Sequence, residues 1–380
     1  MLRSKLPGKG TTIFTVMSKM AQDHDAINLA QGFPDFDGPQ ALRERVSYHM
    51  AHGHNQYAPL SGVPGLREQI AGKVLDLYGY VIDPDKQVVV TPGATEAIFC
   101  AISAVVHPGD EVILFDPAYD TYEPGVTLNG GVAKHIEMRY PDFSIDWQQV
   151  RDTINDRTRL IILNTPHNPT GSMWGPADIQ HLREAIAGHD IHLISDEVYE
   201  HISFDGKSHL SLLRYPDLAE KSFVISSFGK TYHVTGWRIG YCIAPQAMMD
   251  EFLRIHQFTN FSTNTPMQYA LADFLRECPQ HHRQLGDFYQ QKRDLFLELM
   301  TPSRFSLIPS SGTYFQLAGY SAISDERDTD FAIRLTRQYR VAVIPVSVFY
   351  KQVPDQQVVR FCFAKNDDTL REAAQRLVNL

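Results

Sequence analysis

Ser222-Phe223-Val224-Ile225-Ser226-Ser227-Phe228-Gly229-Lys230-Thr231, followed by Tyr232-His233-Val234-Thr235-Gly236-Trp237-Arg238, is the stretch on which the reading of this chain turns. Residues 222–226 read as a short buried strand, which puts Lys230 just past a strand's C-terminal end, where open α/β sheets place their ligands. Arg238 lies eight residues after that lysine and Ser227 three before it, and both suit one phosphate through charge-assisted hydrogen bonds. Gly229-Lys230-Thr231 imitates the end of a nucleotide-binding phosphate loop. That loop needs a second glycine five positions before Gly229, and Val224 stands there instead. Taken alone, such a lysine is equally well explained as a solvated loop charge.

Outward from this stretch, short β-branched runs alternate with helical patterns. Strands are expected at 87–91, 111–115, 133–137, 160–164, 191–195, 222–226 and 239–244. Strand, helix, strand at this spacing predicts an α/β fold with a seven-stranded, mainly parallel sheet covered by helices on both faces. Residues 1–30 carry a short helical pattern through Ile13, Phe14, Val16, Met17 and Met20, and the Gly- and Pro-rich segment 31–39 reads as a loop. After Pro245 the pattern turns helical, over 248–258 and 267–300 with a break near Cys278-Pro279. Residues 301–380 then read as a smaller α+β unit, with strands at 305–308, 313–317, 341–345 and 358–364 and helices at 330–339 and 368–379.

Composition limits what such a fold does. The chain has 380 residues, 43% of them apolar and 21% charged, which is ordinary for a folded protein long enough for two domains. Its net charge of −9 (35 basic against 44 acidic residues) gives no reason to expect a nucleic acid or an anionic membrane as partner. Cys100, Cys242, Cys278 and Cys362 form no Cys-x-x-Cys pair and sit mostly in apolar contexts, so buried reduced thiols and a cytoplasmic location are expected. The first residues lack the apolar core of a secretory signal, and the nearly apolar run 97–106 is too short to cross a bilayer. His49, His52 and His54 have no recognised metal-ligand spacing and read as a solvated helix end, so no metal is expected. Neither a Gly-x-Gly-x-x-Gly dinucleotide motif nor a Gly-x-Ser-x-Gly nucleophile elbow occurs.

Several expected strand ends carry chemistry. After 87–91, Pro92-Gly93-Ala94-Thr95 opens a helix whose first N–H groups and Thr95 hydroxyl suit a phosphate, although capped helices are common. After 111–115, Tyr119 suits a flat ring, or is packing. After 160–164, Asn168 stands between Pro166 and Pro169, which also describes a plain turn. After 191–195, Asp196 ends an apolar run, where burial is costly unless the acid meets a cation, and Tyr199 follows three residues on. Each has a bland explanation. Together, Thr95, Tyr119, Asn168, Asp196, Tyr199 and Lys230 fall on one edge of one sheet, and the bland explanations must then all hold at once.

Ser-x-x-Lys with an arginine eight residues later, Asn168-Pro169-Thr170-Gly171 and Asp-x-x-Tyr, in this order, resemble the class I pyridoxal-phosphate aminotransferases of fold type I over essentially the whole chain. Within that class, Asn28-Leu29-Ala30-Gln31-Gly32-Phe33-Pro34, Gln56-Tyr57-Ala58-Pro59 and Tyr122-Glu123-Pro124 resemble the kynurenine and methionine aminotransferase branch, its bacterial methionine aminotransferases most of all. The resemblance implies an N-terminal segment 1–30 joining the small domain, a large cofactor-binding domain 31–276 and a small C-terminal domain 277–380.

It also implies roles. Lys230 holds the aldehyde of pyridoxal 5'-phosphate as a Schiff base and serves as the general base once displaced. Asp196 keeps the pyridine nitrogen protonated, Asn168 and Tyr199 bond the phenolic oxygen, and Tyr119 stacks on the ring. Ala94, Thr95, Ser227 and Arg238 hold the phosphate, joined by Tyr57 of a neighbouring subunit, which implies a homodimer with shared active sites. Arg360, Gly32 and Asn168 grip the substrate α-carboxylate; a structural salt bridge is the bland alternative for Arg360. The expected reaction is a ping-pong transfer of the amino group from an apolar or aromatic L-amino acid to a 2-oxo acid, with methionine first and phenylalanine, histidine, leucine, glutamine or kynurenine behind it. The segment 256–263 lacks the second arginine with which aspartate aminotransferases bind a side-chain carboxylate, and Ile13, Phe14, Tyr57, Tyr119 and Phe349 suit a neutral side chain. β-Elimination at a C–S bond with the same cofactor, and a non-catalytic regulator on the same fold, are the rival readings.

Overall fold

The computed structural model describes residues 3–354 and 356–380. All seven expected runs form strands of one sheet: β1 Val88–Thr91, β2 Glu111–Asp116, β3 Val132–Glu137, β4 Thr158–Asn164, β5 His192–Asp196, β6 Ser222–Ser227 and β7 Gly240–Ile243. Their spatial order is β1-β7-β6-β5-β4-β2-β3. The pairs from β6 through β3 are parallel, whereas β7 runs antiparallel to both of its neighbours, β1 and β6. Two reversals cancel, so β1 points the same way as β6. The C-terminal ends of β1, β2, β4, β5 and β6 therefore share one edge.

The sheet is covered on both faces, which is why its inner strands are near-continuous apolar runs with no polar face. Side chains alternate across it. Val88, Val90, Ile113, Ile161, Leu193 and Val224 pack in one cluster with the helices Pro64–Tyr78, Pro176–Ile186 and Thr265–Glu277. Val89, Val112, Leu114, Leu160, Ile194 and Phe223 pack in another with the helices Ala94–Val105 and Gln246–Thr259. Only the edge strand β3 shows a mostly half-exposed pattern.

A third cluster is built mainly from the C-terminal part. The antiparallel strands β8 Ser306–Leu307, β9 Phe315–Gly319, β10 Ile344–Pro345 and β11 Val358–Cys362 lie in the order β10-β11-β9-β8. The helices Leu285–Met300, Asp328–Gln338 and Asp367–Leu377 bury Phe296, Phe331 and Leu370 against them. The helix Ile13–Asp23, capped by the Thr12 side chain, sends Met17 and Ala21 into the same cluster. The expected strand 341–345 divides: Val341–Ala342 pairs with Ile27–Asn28, and the next two-residue piece turns to β11.

The helical stretch after Thr265 breaks where Pro279 stands, into Thr265–Glu277, Gln280–Arg283 and Leu285–Met300. The cysteines are free; Cys100, Cys242 and Cys362 are buried and Cys278 is half-buried. The expected solvated histidine cluster needs correction. His49 is buried, and its Nε2 lies 2.8 Å from Asp273 Oδ2, a carboxylate 224 residues away that no local spacing reveals. Among the described residues no helix is long and apolar enough to cross a membrane.

Candidate active site

The shared strand edge opens on a cavity of about 540 Å³, counted to its open mouth. Nine of the residues singled out in the sequence line it: Ala94, Thr95, Tyr119, Asn168, Asp196, Tyr199, Ser227, Lys230 and Arg238. Asn164, Val198 and Ile98 complete the wall.

One end of the cavity is built to receive an anion. The helix Ala94–Val105 starts here, with its first N–H groups free of intrahelical partners. Gly93 precedes it at φ 81°, ψ 166°, a conformation reserved for glycine, and a Cβ there would stand 2.6 Å from Arg238 Nη2. The Arg238 guanidinium thus lies directly against the helix entrance. Its Nη1 donates to the Thr235 carbonyl at 3.1 Å and its Nη2 to Thr95 Oγ1 at 3.5 Å. No acid pairs with it among the described residues. Ser227 Oγ accepts from Gly229 N–H at 3.2 Å, which leaves its own hydroxyl proton free to donate.

The middle carries two ionisable groups with displaced pKa values. Asp196, the last residue of β5, is 4% exposed; burial pushes its carboxyl up to about 6. The Tyr122 hydroxyl donates to Asp196 Oδ2 at 2.6 Å and Val198 N–H to Oδ1 at 3.3 Å, and both oppose that rise. Lys230 sits in the one-turn helix Phe228–Thr231 that follows β6, rather than in a loop. Its side chain is half-buried and lines the cavity, and burial lowers the ammonium to about 8. The amine donates to the Gly32 carbonyl at 3.2 Å and lies 5.7 Å and 5.6 Å from the ring centres of Tyr199 and Tyr314. Among the described residues it forms no ion pair.

Beyond the lysine stands Arg360, in the middle of β11 and fully buried. Its Nη1 donates to Asn168 Oδ1 at 2.6 Å and its Nη2 to the Ala30 carbonyl at 2.9 Å, while Nε has no partner. The guanidinium stacks 3.8 Å from the Phe315 ring centre. Burial among aromatic rings lowers its pKa to about 10. The structural salt bridge is absent: no carboxylate pairs with Arg360 among the described residues. An arginine so buried and so lacking an acid is a charge awaiting an anion.

Gly32 joins the site through its carbonyl, which accepts from Lys230 and from the Tyr314 hydroxyl at 2.6 Å. A Cβ at Gly32 would meet Phe315 at 2.6 Å, so only glycine fits. Tyr57 does not line the cavity. It is 83% exposed and rests edge-on against Phe261, ring centres 5.5 Å apart.

Three residues that hold the site together were not singled out as such in the sequence. Tyr122 bonds Asp196, although it belongs to the quoted motif Tyr122-Glu123-Pro124. Asn164 ties two loops, donating to the Asp196 carbonyl and accepting from Asn168 N–H, both at 2.9 Å. Tyr314, just before β9, stands edge-on to Tyr199 at 5.1 Å.

The chain is similar to known proteins along its length. Residues 24–377 match the family model of aminotransferase class I and II. The methionine aminotransferase of Escherichia coli K12 is 53% identical over 378 residues, covering 100% of this chain and 98% of that protein. A probable N-succinyldiaminopimelate aminotransferase of Mycobacterium tuberculosis is 36% identical, with 98% and 97% covered. Among solved structures, that of YbdL from Escherichia coli, described as having a methionine aminotransferase function, superposes with a TM-score of 0.98 at 52% identity over all of both chains.

Proposed function

Because this chain belongs to the class I and II aminotransferases, we propose that it binds pyridoxal 5'-phosphate in the cavity at the strand ends and moves the amino group of L-methionine, and of other neutral apolar or aromatic L-amino acids, to a 2-oxo acid. The observation that carries this reading is the set of unmatched groups at one site: a lysine amine without an ion pair, a buried aspartate, and two arginines without acids. A phosphorylated pyridine aldehyde fits that set. The Ala94 and Thr95 end of the helix, Ser227 and Arg238 would hold its phosphate, Tyr119 and Val198 its ring, Asp196 its ring nitrogen, and Asn168 and Tyr199 its phenolic oxygen.

When bound, this cofactor supplies an electron sink for the bond broken at the substrate Cα. The chain supplies the rest. Asp196, anchored by Tyr122 and Val198, would hold a proton at the ring nitrogen. Lys230 would move the Cα proton, and an amine that burial lowers to about 8 is suited to both taking and giving it near neutral pH. Arg360 grips the α-carboxylate in a water-poor setting where a bidentate pair is strong. Phe14 and Phe349, ring centres 5.8 Å apart beside Arg360, offer apolar walls for the side chain.

We assign the division into segment 1–30, large domain 31–276 and small domain 277–380, and a two-fold dimer in which Tyr57 reaches the partner's phosphate. Free, mostly buried thiols suit work in the cytoplasm. The test is a half-reaction: purified protein loaded with cofactor is mixed with methionine, and the cofactor spectrum and the released 2-oxo acid are followed. A stoichiometric burst of 2-oxo acid is expected, and borohydride should fix the cofactor to a peptide containing Lys230. Label elsewhere, or faster pyruvate release from cystathionine than 2-oxo acid from methionine, would overturn the assignment.

A further inference from the structure

Tyr119 forms a wall of the central cavity and also lines two spaces outside it. The next residue, Asp120, lines both of those outer spaces. One of them holds Phe14 and the other Phe349. The Arg360 guanidinium lies 5.3 Å from the Phe14 ring and 5.8 Å from the Phe349 ring. The two rings therefore lead outward from Arg360 to the ground on which Asp120 stands.

Asp120 is half-buried, and among the described residues its carboxylate has no ion pair and no hydrogen bond from another residue. Its neighbour Glu123 differs sharply, met at 2.6 Å by both Lys9 and Lys351. The segment carrying Asp120 is anchored on either side: Ala118 N–H donates to the Phe349 carbonyl at 2.8 Å, and the Tyr122 hydroxyl to Asp196. Burial raises the Asp120 carboxyl above its ordinary value, while Arg360 and Lys9 pull it back, so the arginine is within electrostatic reach. A positioned carboxylate with free lone pairs, beside the path of a substrate side chain, is an acceptor without a donor.

We propose that Asp120 is a specificity-determining residue: it accepts a hydrogen bond from a side chain bearing N–H, such as the amide of glutamine or the imidazole of histidine, and repels the carboxylate of glutamate. The inference rests on the aminotransferase reading, with the α-carboxylate at Arg360 and the side chain running between Phe14 and Phe349. Glutamine and glutamate have the same shape, so only the donor and the charge distinguish them. Methionine carries neither and is the internal standard. It also extends the missing second arginine: the site not only lacks a partner for a side-chain carboxylate but places a like charge in its way.

The experiment compares single-turnover rate constants over half-saturation for glutamine, glutamate and methionine in the holoenzyme and in Asp120→Asn and Asp120→Ser. The glutamine-to-glutamate ratio is expected to fall about tenfold or more in both variants, and the glutamate-to-methionine ratio to rise. Ratios taken within one preparation are independent of how much of it is folded and loaded. Unchanged ratios in both variants overturn the role of Asp120 while leaving the aminotransferase reading intact. A wild-type holoenzyme that reacts with none of the three amino acids overturns both.

Discussion

At Lys230 the demands of chemistry and of stability oppose each other. Burial takes its pKa from an ordinary 10.5 to about 8. Between those values the folded, cofactor-free chain binds fewer protons than the unfolded chain, so stability rises with pH across that window. Below pH 8 the folded chain carries a half-buried ammonium at a cost of up to about 3 kcal/mol. The cofactor-free Lys230→Met variant should therefore resist urea better than its parent at pH 7, by up to about 3 kcal/mol, with the two converging as the pH approaches 10.5. Equal stability at pH 7 would mean that the amine is as well solvated folded as unfolded. Asp196 is displaced the other way: its carboxyl is raised from 3.8 to about 6, so the stability it lends is full below pH 3.8 and is lost as pH climbs through 6. Near neutral pH both groups therefore weigh against the stability of the cofactor-free chain.

At the scale of elements, the entrance of the helix Ala94–Val105 depends on one glycine. Gly93 holds φ 81° and ψ 166°, and a Cβ there would stand 2.6 Å from Arg238 Nη2, so Gly93→Ala should both strain the backbone and push the guanidinium out of place. Its affinity for pyridoxal phosphate should drop about tenfold or more, and in combination with Arg238→Ala the second change should add little, because both act on one contact. Fully additive losses in cofactor titrations would show that Gly93 serves the fold alone. The elements themselves were largely legible, because a covered parallel sheet demands apolar runs and its strand ends fall at predictable points. Their direction was not: residues 239–244 read as one more strand, and only its pairing makes it antiparallel. Nor did any local pattern mark Lys73 as buried. It lies in the helix Pro64–Tyr78 yet meets Glu200 at 2.6 Å and the Tyr241 hydroxyl at 2.5 Å, partners 127 and 168 residues away. Tyr122, Asn164 and Tyr314 escaped for the same reason, since their importance is a contact made across the fold. Arg360 was legible only by resemblance; what the structure adds is the missing acid.

At the scale of the whole molecule, Tyr57 is the residue that a single chain leaves unexplained. It is 83% exposed and rests against Phe261, itself 46% exposed, an apolar surface of the kind that contacts between chains cover. The loop behind Tyr57 is nevertheless fixed: Thr265 Oγ1 donates to the Gln56 carbonyl at 2.6 Å and Ser262 Oγ to the Ala58 carbonyl at 3.1 Å. An exposed tyrosine on an anchored loop suits the proposed site shared between two copies. Mixing subunits separates the possibilities. In a hybrid of one Lys230→Ala subunit and one Tyr57→Phe subunit, action across the interface gives one site with both defects and one with neither; action within the subunit gives two sites with one defect each. If Tyr57 serves the partner, purified hybrids should regain about half of the wild-type methionine half-reaction, with wild-type phosphate affinity in the reacting sites. If it serves its own chain, every lysine-containing site in the hybrid should show the weakened affinity of the Tyr57→Phe parent, and the shared-site dimer would have to be abandoned.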